Sequence, residues 1–395
     1  MRKSAEYFKT EYTLDHLIAT YTKPYVALMD GATMGGGVGL SLHAPFRIAT
    51  ERTVFAMPES KIGFFTDVGG SFFLPRLDGQ LGMYLALTGE MLTGVDTLFV
   101  PSSPPPKFFF ITHLLTARSY AGIATHYLHS TTLPSLEQRL SELQFHDSSS
   151  LEEKYEIVDS TIEEFSTGLP NSTLSSPNRV LIDECFSPNT LSGILAALSS
   201  HKSSSDFIKQ TYETILTRCP LSILATLTLL RSGKELGITT VFQHEAVVAS
   251  RFMRSREFYI GVKNLLWDKS KVMPSWPGPS ITELADNPAL VEELLGKYVD
   301  VRPGEDERLV LDRGMDYTRY PHWWLGLPSE GEIKTKVEEE ERKGKTWGRK
   351  DVVEWFVEAR RGKEGVREKV EEVLGRKTVE ENGKVRWMQE VGRFA

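Results

Sequence analysis

The feature that most constrains this chain is a run of three glycines, Gly35-Gly36-Gly37, set between short apolar stretches. Tyr25-Val26-Ala27-Leu28-Met29 ends in Asp30-Gly31 and reads as a buried strand; Phe46-Arg47-Ile48-Ala49-Thr50 and Thr53-Val54-Phe55-Ala56 read as the next strands. Val38-Gly39-Leu40-Ser41-Leu42 lies between them and predicts a short helix. Strand, glycine turn, helix and strand at this spacing predict an α/β layer with backbone N–H groups presented at a helix N-terminus. A dinucleotide fingerprint counted from Gly35 requires glycine where Leu40 stands, and the Gly-Lys-Ser/Thr of a P-loop is missing from the segment, so both nucleotide readings fail here. Two readings stay open: a turn that holds an oxyanion, and glycines that serve close packing of strand on helix.

About twenty residues on, Met57-Pro58-Glu59-Ser60-Lys61-Ile62-Gly63-Phe64-Phe65-Thr66-Asp67-Val68-Gly69-Gly70 places two carboxylates at either end of an apolar stretch, beside Pro and Gly turns. A carboxylate partly desolvated in that setting has a raised pKa and can serve as base or nucleophile. Taken singly, each also suits a cap or a surface charge.

Composition narrows the field. At 395 residues the chain has room for two to three domains. Forty-six basic against fifty-three acidic residues give a net charge of −7, which excludes a nucleic-acid binder driven by overall charge. Cys185 and Cys219 form no CxxC and have no His at ligand spacing, so they read as buried thiols and no disulfide framework or zinc cluster is expected. No stretch approaches about 18 consecutive apolar residues, so no transmembrane helix is predicted. The N-terminal MRKSAEYFKTEY reaches Glu6 and Glu11 without an apolar or Arg/Ser-rich run and reads as the inside of a domain.

Along the chain, 1–130 reads as the α/β core, 131–300 as a mainly helical part and 301–395 as a charged helical extension. Residues 99–119, with a Ser/Pro cluster and three consecutive phenylalanines, have no period and read as an insertion that protrudes from the fold. Ile208, Tyr212, Ile215 and then Ile223, Leu227, Leu230 have helical spacing, so 150–265 is expected to be mostly helical. From Ile333 to Ala395 there are seventeen Lys/Arg and fourteen Asp/Glu, with apolar helical stripes at Val352, Trp355, Phe356, Ala359 and at Val366, Val370, Val373. This tail reads as a solvated amphipathic appendage or as a surface that docks a partner.

The segment MGGGVGLSLHAPFRIATERTVFAMPESKIGFFTDVGGSFFLPRLDG resembles the 3-hydroxyisobutyryl-CoA hydrolase branch of the crotonase (enoyl-CoA hydratase/isomerase) superfamily. The likeness runs from about Tyr7 to Gly94, resumes at Tyr120, and continues weakly through Glu184-Cys185-Phe186-Ser187 and Phe258-Tyr259-Ile260-Gly261-Val262 to Trp276. It implies a crotonase-like spiral of ββα turns, with a helical C-terminal region that leads here into the charged helical tail. It also implies an acyl-CoA thioester as substrate. Carried over position by position, Gly36 supplies an oxyanion-hole amide with Gly35 beside it. Glu59 acts as general base toward water or as nucleophile through a mixed anhydride. Asp67 positions the substrate hydroxyl or the water, and Glu11 lies near the substrate. Hydratases carry a glutamate where this chain has Gly39 and usually glycine where it has Asp67, so hydrolysis of 3-hydroxyisobutyryl-CoA in valine breakdown is the better match.

Several departures accompany the resemblance. Thr66 replaces the usual proline before Asp67, which predicts a looser turn; Ile260 stands where glutamate is common. The family's first ββα segment, with the second oxyanion amide, has no counterpart, so the resemblance implies an N-terminally truncated chain and impaired catalysis. No cofactor is implied, CoA being part of the substrate, and no metal. The setting implied is mitochondrial. The expected partner is a small acyl-CoA, with no membrane and no DNA; a homo-oligomer is compatible. The alternative function is structural, because fungal relatives of this branch occur as components of the mitochondrial small ribosomal subunit, and the charged tail suits that role.

Overall fold

A computed structural model describes residues 2–97, 122–166, 168, 177–304, 307–312, 316–345, 347–381 and 383–388. The insertion read at 99–119 lies outside the described residues. After helix α1 (Arg2–Ala19) the chain winds through β1 (Val26–Met29), β2 (Ala32–Met34), α2 (Gly36–Leu42), β3 (Phe46–Ala49), β4 (Val54–Ala56), α3 (Gly70–Phe73) and α4 (Leu81–Thr88). It then adds β5 (Leu92–Thr93) and β6 (His126–Tyr127). Strands β1 and β3 pair in parallel, Val26 opposite Phe46 and Met29 opposite Ala49, and β6 joins β3 through Ile48 and His126. A second sheet pairs β2 with β4 in parallel, Ala32 opposite Val54, and β4 with β5 antiparallel. Each turn of chain thus lays one strand on each of two sheets before a helix, which is the ββα spiral expected. Strand β2, immediately before the glycines, is an element the apolar pattern did not reveal.

Strands of two to four residues cannot stand alone, so the spiral depends on the helices against it. These are α5 (Leu133–Ser141), α6 (Leu151–Glu163), α7 (Pro177–Cys185), α8 (Leu191–His201), α9 (Asp206–Leu216), α10 (Pro220–Gly233), α11 (Ile238–Phe252) and α12 (Arg256–Gly261), followed by α13 (Ile281–Asp286) and α14 (Pro288–Tyr298). The helical reading of 150–265 holds, with Ile208 and Ile215 of α9 and Ile223 and Leu230 of α10 fully buried. One core runs from Tyr12 of α1 to Leu311 and includes both cysteines as buried free thiols. A second gathers Phe46, Ile48, Leu136, Tyr155, Ile162 and Leu325. Among the described residues no single helix is long and apolar enough to cross a bilayer.

The tail is a folded unit with its own core. Helices α15 (Glu330–Arg342), α16 (Arg349–Ala359) and α17 (Val366–Lys377) bury Ile333, Val337, Val352, Val353, Phe356, Val366, Val370, Val373 and Leu374. A hairpin of β7 (Thr378–Glu381) and β8 (Lys384–Trp387) adds Val385. The stripe on α16 differs from the sequence reading: Trp355 is 38% exposed and Val353 takes the inner place. Lys336 lies 4.0 Å from the Trp355 ring centroid, so the outward indole is covered by a cation.

Ion pairs lock this unit to the spiral. Lys369 pairs with Asp78, and Arg376 pairs with Glu330 and lies 2.8 Å from Glu372 and 3.6 Å from Asp183. Buried Arg179 on α7 meets Asp183 and Glu330 from the other side. Lys363 reaches Asp159 at 2.9 Å and Glu163 at 3.2 Å on α6. Its amine also lies 2.6 Å from Nε2 of buried His126, a ring nitrogen that stands 3.0 Å from Asp159 as well, so the imidazole sits inside this charged cluster.

Candidate active site

The site begins at Gly35, the residue before α2, whose φ of +52° suits glycine. Directly beside it the Glu59 carboxyl packs in: its Oε1 lies 3.3 Å from where a Gly35 Cβ would stand. Glu59 follows Pro58 in a single 3-10 turn and is 4% exposed, and its Oε2 is buried with no hydrogen-bond donor. On the next glycine, Glu11 Oε1 lies 2.5 Å from the Cβ position of Gly36, so any side chain there would displace the Glu11 carboxyl. The first amides of α2 have no carbonyl one turn earlier to bond. Two carboxyls therefore flank consecutive glycines at a helix start.

Asp67 closes the group from the third side. It is 4% exposed, and Tyr12 of α1 donates its hydroxyl to Asp67 Oδ2 at 2.7 Å. Burial pushes both Glu59 and Asp67 above the ordinary carboxylate range, and the charge of Glu59 raises Asp67 further, while the Tyr12 hydrogen bond pulls it back. Burial of this kind favours the protonated form of each group, the form from which a carboxyl can give a proton to a reacting group.

The Asp67 turn is strained and braced. Val68 has φ +55°, an uncommon conformation for a β-branched residue, and Gly69 follows at +78°. His43, fully buried, donates from Nε2 to Val68 O at 2.8 Å and lies 2.7 Å from the Tyr320 hydroxyl through Nδ1. With Nε2 carrying the proton, Nδ1 is the acceptor, and burial holds this ring neutral with its pKa lowered to about 4. Glu245 of α11 accepts from Gly69 N at 2.7 Å, Ser71 N at 3.0 Å and Ser71 Oγ at 2.5 Å. The looser turn expected from Thr66 is not found: the Thr66 N–H, which proline would lack, donates to Thr226 Oγ1 at 3.0 Å and ties the loop to α10.

The structure thus brings together Glu11, Gly35, Gly36, Glu59 and Asp67, the five residues named from sequence. It adds Tyr12, His43, Glu245 and Asp15, which sequence reasoning missed. Glu245 had a signal, a lone acid beside the apolar run Ala246-Val247-Val248-Ala249; Asp15 had one in its spacing of four from Glu11. Asp15 is fully buried, and neither of its oxygens has a hydrogen-bond donor. Its Oδ2 lies 2.6 Å from the Cβ position of Gly39. Burial, with the Glu11 charge, pushes its pKa up to about 8. Among the described residues, no group of three or more His, Cys, Asp or Glu is arranged to hold a metal ion.

A family model described as enoyl-CoA hydratase/isomerase matches residues 1–102 and 116–295, leaving a gap inside the stretch read as an insertion. The chain is 44% identical to small ribosomal subunit protein mS47 of Neurospora crassa over 402 aligned positions, covering 99% of this chain and 73% of that protein. It is 39% identical to a mitochondrial 3-hydroxyisobutyryl-CoA hydrolase of Gallus gallus, over 75% of this chain and 67% of that one. A crystal structure of a carnitinyl-CoA dehydratase from Mycobacterium thermoresistibile matches with a TM-score of 0.59 at 28% identity, covering 78% of this chain and 76% of its own.

Proposed function

The chain belongs to the enoyl-CoA hydratase/isomerase family, and from that premise we propose that it serves as a component of the mitochondrial small ribosomal subunit, built on an acyl-CoA hydrolase scaffold. One observation carries this reading. The likeness to the ribosomal protein extends over 99% of the chain, whereas the family match stops at residue 295 and the hydrolase likeness covers 75%. The segment beyond is the folded unit of α15–α17 and the hairpin, locked to the spiral by buried ion pairs. A segment kept with its own core and fixed against the scaffold suits an assembly surface. The structural alternative read from sequence thereby moves ahead of the hydrolase reading.

The test is sedimentation of a mitochondrial lysate on a sucrose gradient. The full chain is expected in the small-subunit fractions, and a chain ending at Leu327 is expected to lose that position. Full-length protein that stays at the top of the gradient overturns the reading.

A second reading is favoured by the carboxyl pair. Glu59 and Asp67, buried together beside the Gly36 amide, suit hydrolysis of an acyl-CoA thioester such as 3-hydroxyisobutyryl-CoA to the free acid and CoA. Glu59 takes a proton from water or attacks the carbonyl itself, the glycine-turn amide stabilises the oxyanion, and Asp67 orients the hydroxyl or the water. Thioesterase assay of the purified chain tests it. Glu59→Gln, which keeps the shape and removes the base, should lower kcat by at least ~10²-fold. Unchanged turnover would leave the scaffold role alone.

A further inference from the structure

The C-terminal unit holds a cavity of about 240 Å³, open to solvent on one side, that the acyl-CoA chemistry does not use. Its apolar side is Val337, Val352 and Val385, all buried in the core of the unit. Trp347 forms another wall. Its carbonyl accepts from Val385 N at 2.9 Å, and Lys336 lies 4.8 Å from the ring centroid, so the indole is fixed and electrostatically engaged.

The polar side is Glu340, whose side chain is 3% exposed. Its Oε1 accepts from Lys336 at 2.9 Å and Lys343 at 3.3 Å. Its Oε2 is buried, has no donor in hydrogen-bonding geometry, and faces the amine of Lys345 at 3.1 Å. Lys345 is more than half exposed, pairs with that oxygen and lies 5.7 Å from the Trp347 ring centroid, so it is the cation that a ligand entering here would displace. Lys384 and Arg386 complete the lining with Glu341, which lies 3.3 Å from Arg386; Glu381 lies 3.7 Å from the same guanidinium.

Size and chemistry select the occupant. The volume is below the roughly 300–1,000 Å³ of a drug-sized pocket and far above what one water needs, so it suits a single planar ring system and not an acyl-CoA. An aromatic wall, a buried acceptor and lysines at the mouth are the parts that recognise an unstacked base: ring on indole, ring N–H or amine on carboxylate, phosphate on lysine. A net charge of −7 argues against binding by the whole surface and not against one pocket.

We infer that this cavity binds an unpaired purine of single-stranded RNA, with the base between Trp347 and Glu340 and its phosphate toward Lys345 and Lys384. The choice of RNA rests on the ribosomal reading. A purine is preferred because it offers the larger stacking face, and adenine and guanine both carry an amine for the Glu340 carboxylate.

The experiment uses the full chain. Fluorescence anisotropy with a labelled (GA)₃ RNA and with U₆, and calorimetry with AMP and GMP, compare the wild type with Trp347→Leu, Lys384→Gln and Glu340→Gln, each checked for an unchanged thermal midpoint. The purine hexamer should bind more tightly than U₆ and than either mononucleotide. Trp347→Leu should weaken it on the order of tenfold, and Lys384→Gln should lower the slope of log K against log salt by about one. Glu340→Gln, where it keeps the thermal midpoint, should weaken the hexamer as well; Trp347→Leu and Lys384→Gln decide the test. Folded variants of those two that bind as the wild type overturn the inference, as does a mononucleotide that binds as tightly as the hexamer. Lost hexamer binding in Trp347→Leu with intact small-subunit sedimentation supports the pocket and leaves the ribosomal reading untouched. Purine binding by a chain that never sediments overturns the ribosomal reading alone.

Discussion

Asp15 of α1 fills the space a side chain on Gly39 would need, its Oδ2 standing 2.6 Å from that Cβ position. Gly39→Ala should therefore destabilise the chain by ~1–3 kcal/mol through overpacking and disturbance of a buried carboxyl. Asp15→Ala should relieve much of that cost. A double-mutant cycle by thermal or urea unfolding measures the coupling, and strictly additive effects would show that the two residues do not share the space.

The same carboxyl predicts a pH dependence. Its pKa is raised from 3.8 to about 8 on folding, so between those values the folded state binds the extra proton and the unfolded state does not. Stability from this group is full below about pH 4, falls progressively as pH rises, and is lost above about pH 8. Asp15→Asn should flatten that part of the profile, gaining most over the wild type at pH 8–9. Urea unfolding across pH 4–9 checks it; parallel curves for the two proteins would refute it.

Tyr12 tests the proton-holding pair. Tyr12→Phe removes the hydroxyl that stabilises charged Asp67 while keeping the ring, so the Asp67 pKa should rise further. If the chain turns over acyl-CoA, the acidic limb of kcat/KM should move to higher pH with a loss of roughly tenfold at neutral pH, on the scale of one hydrogen bond to a charged group. An unmoved limb would separate Asp67 from the reaction.

The lock between tail and spiral predicts a large effect of single charges. Arg376, 4% exposed, serves Glu330, Glu372 and Asp183; Arg376→Met should cost about 3–5 kcal/mol, since it leaves buried carboxylates unpaired. Removing the exposed Arg367–Glu354 pair should cost less than ~1 kcal/mol. Thermal unfolding of the two variants distinguishes these, and limited proteolysis should release the C-terminal unit sooner from Arg376→Met.

What sequence revealed and what it hid follow from distance along the chain. Gly36, Glu59 and Asp67 lie within one short segment with glycine and proline turns on both sides, so their convergence is nearly a local property. Glu245 and Tyr320 reach that segment from 176 and 277 residues away, and only packing of α11 and the later loop brings them there. In the tail, Val366, Val370 and Val373 were legible because spacing and burial agree. Trp355 was misread because a lysine above its ring stabilises an outward indole, which periodicity does not register. The β7–β8 hairpin had its signal in Asn382-Gly383, a favoured two-residue turn, set in a charged stretch that reads as helix.

The lock also fixes an order of events during synthesis. Asp78, Asp183 and Glu330 leave the ribosome well before Lys369 and Arg376, the cations that answer them. A nascent chain with its spiral collapsed therefore holds Asp78 without the lysine that answers it, and Asp183 and Glu330 with Arg179 alone, until α17 emerges, so the charges of the spiral are balanced only once the C-terminal unit has been made.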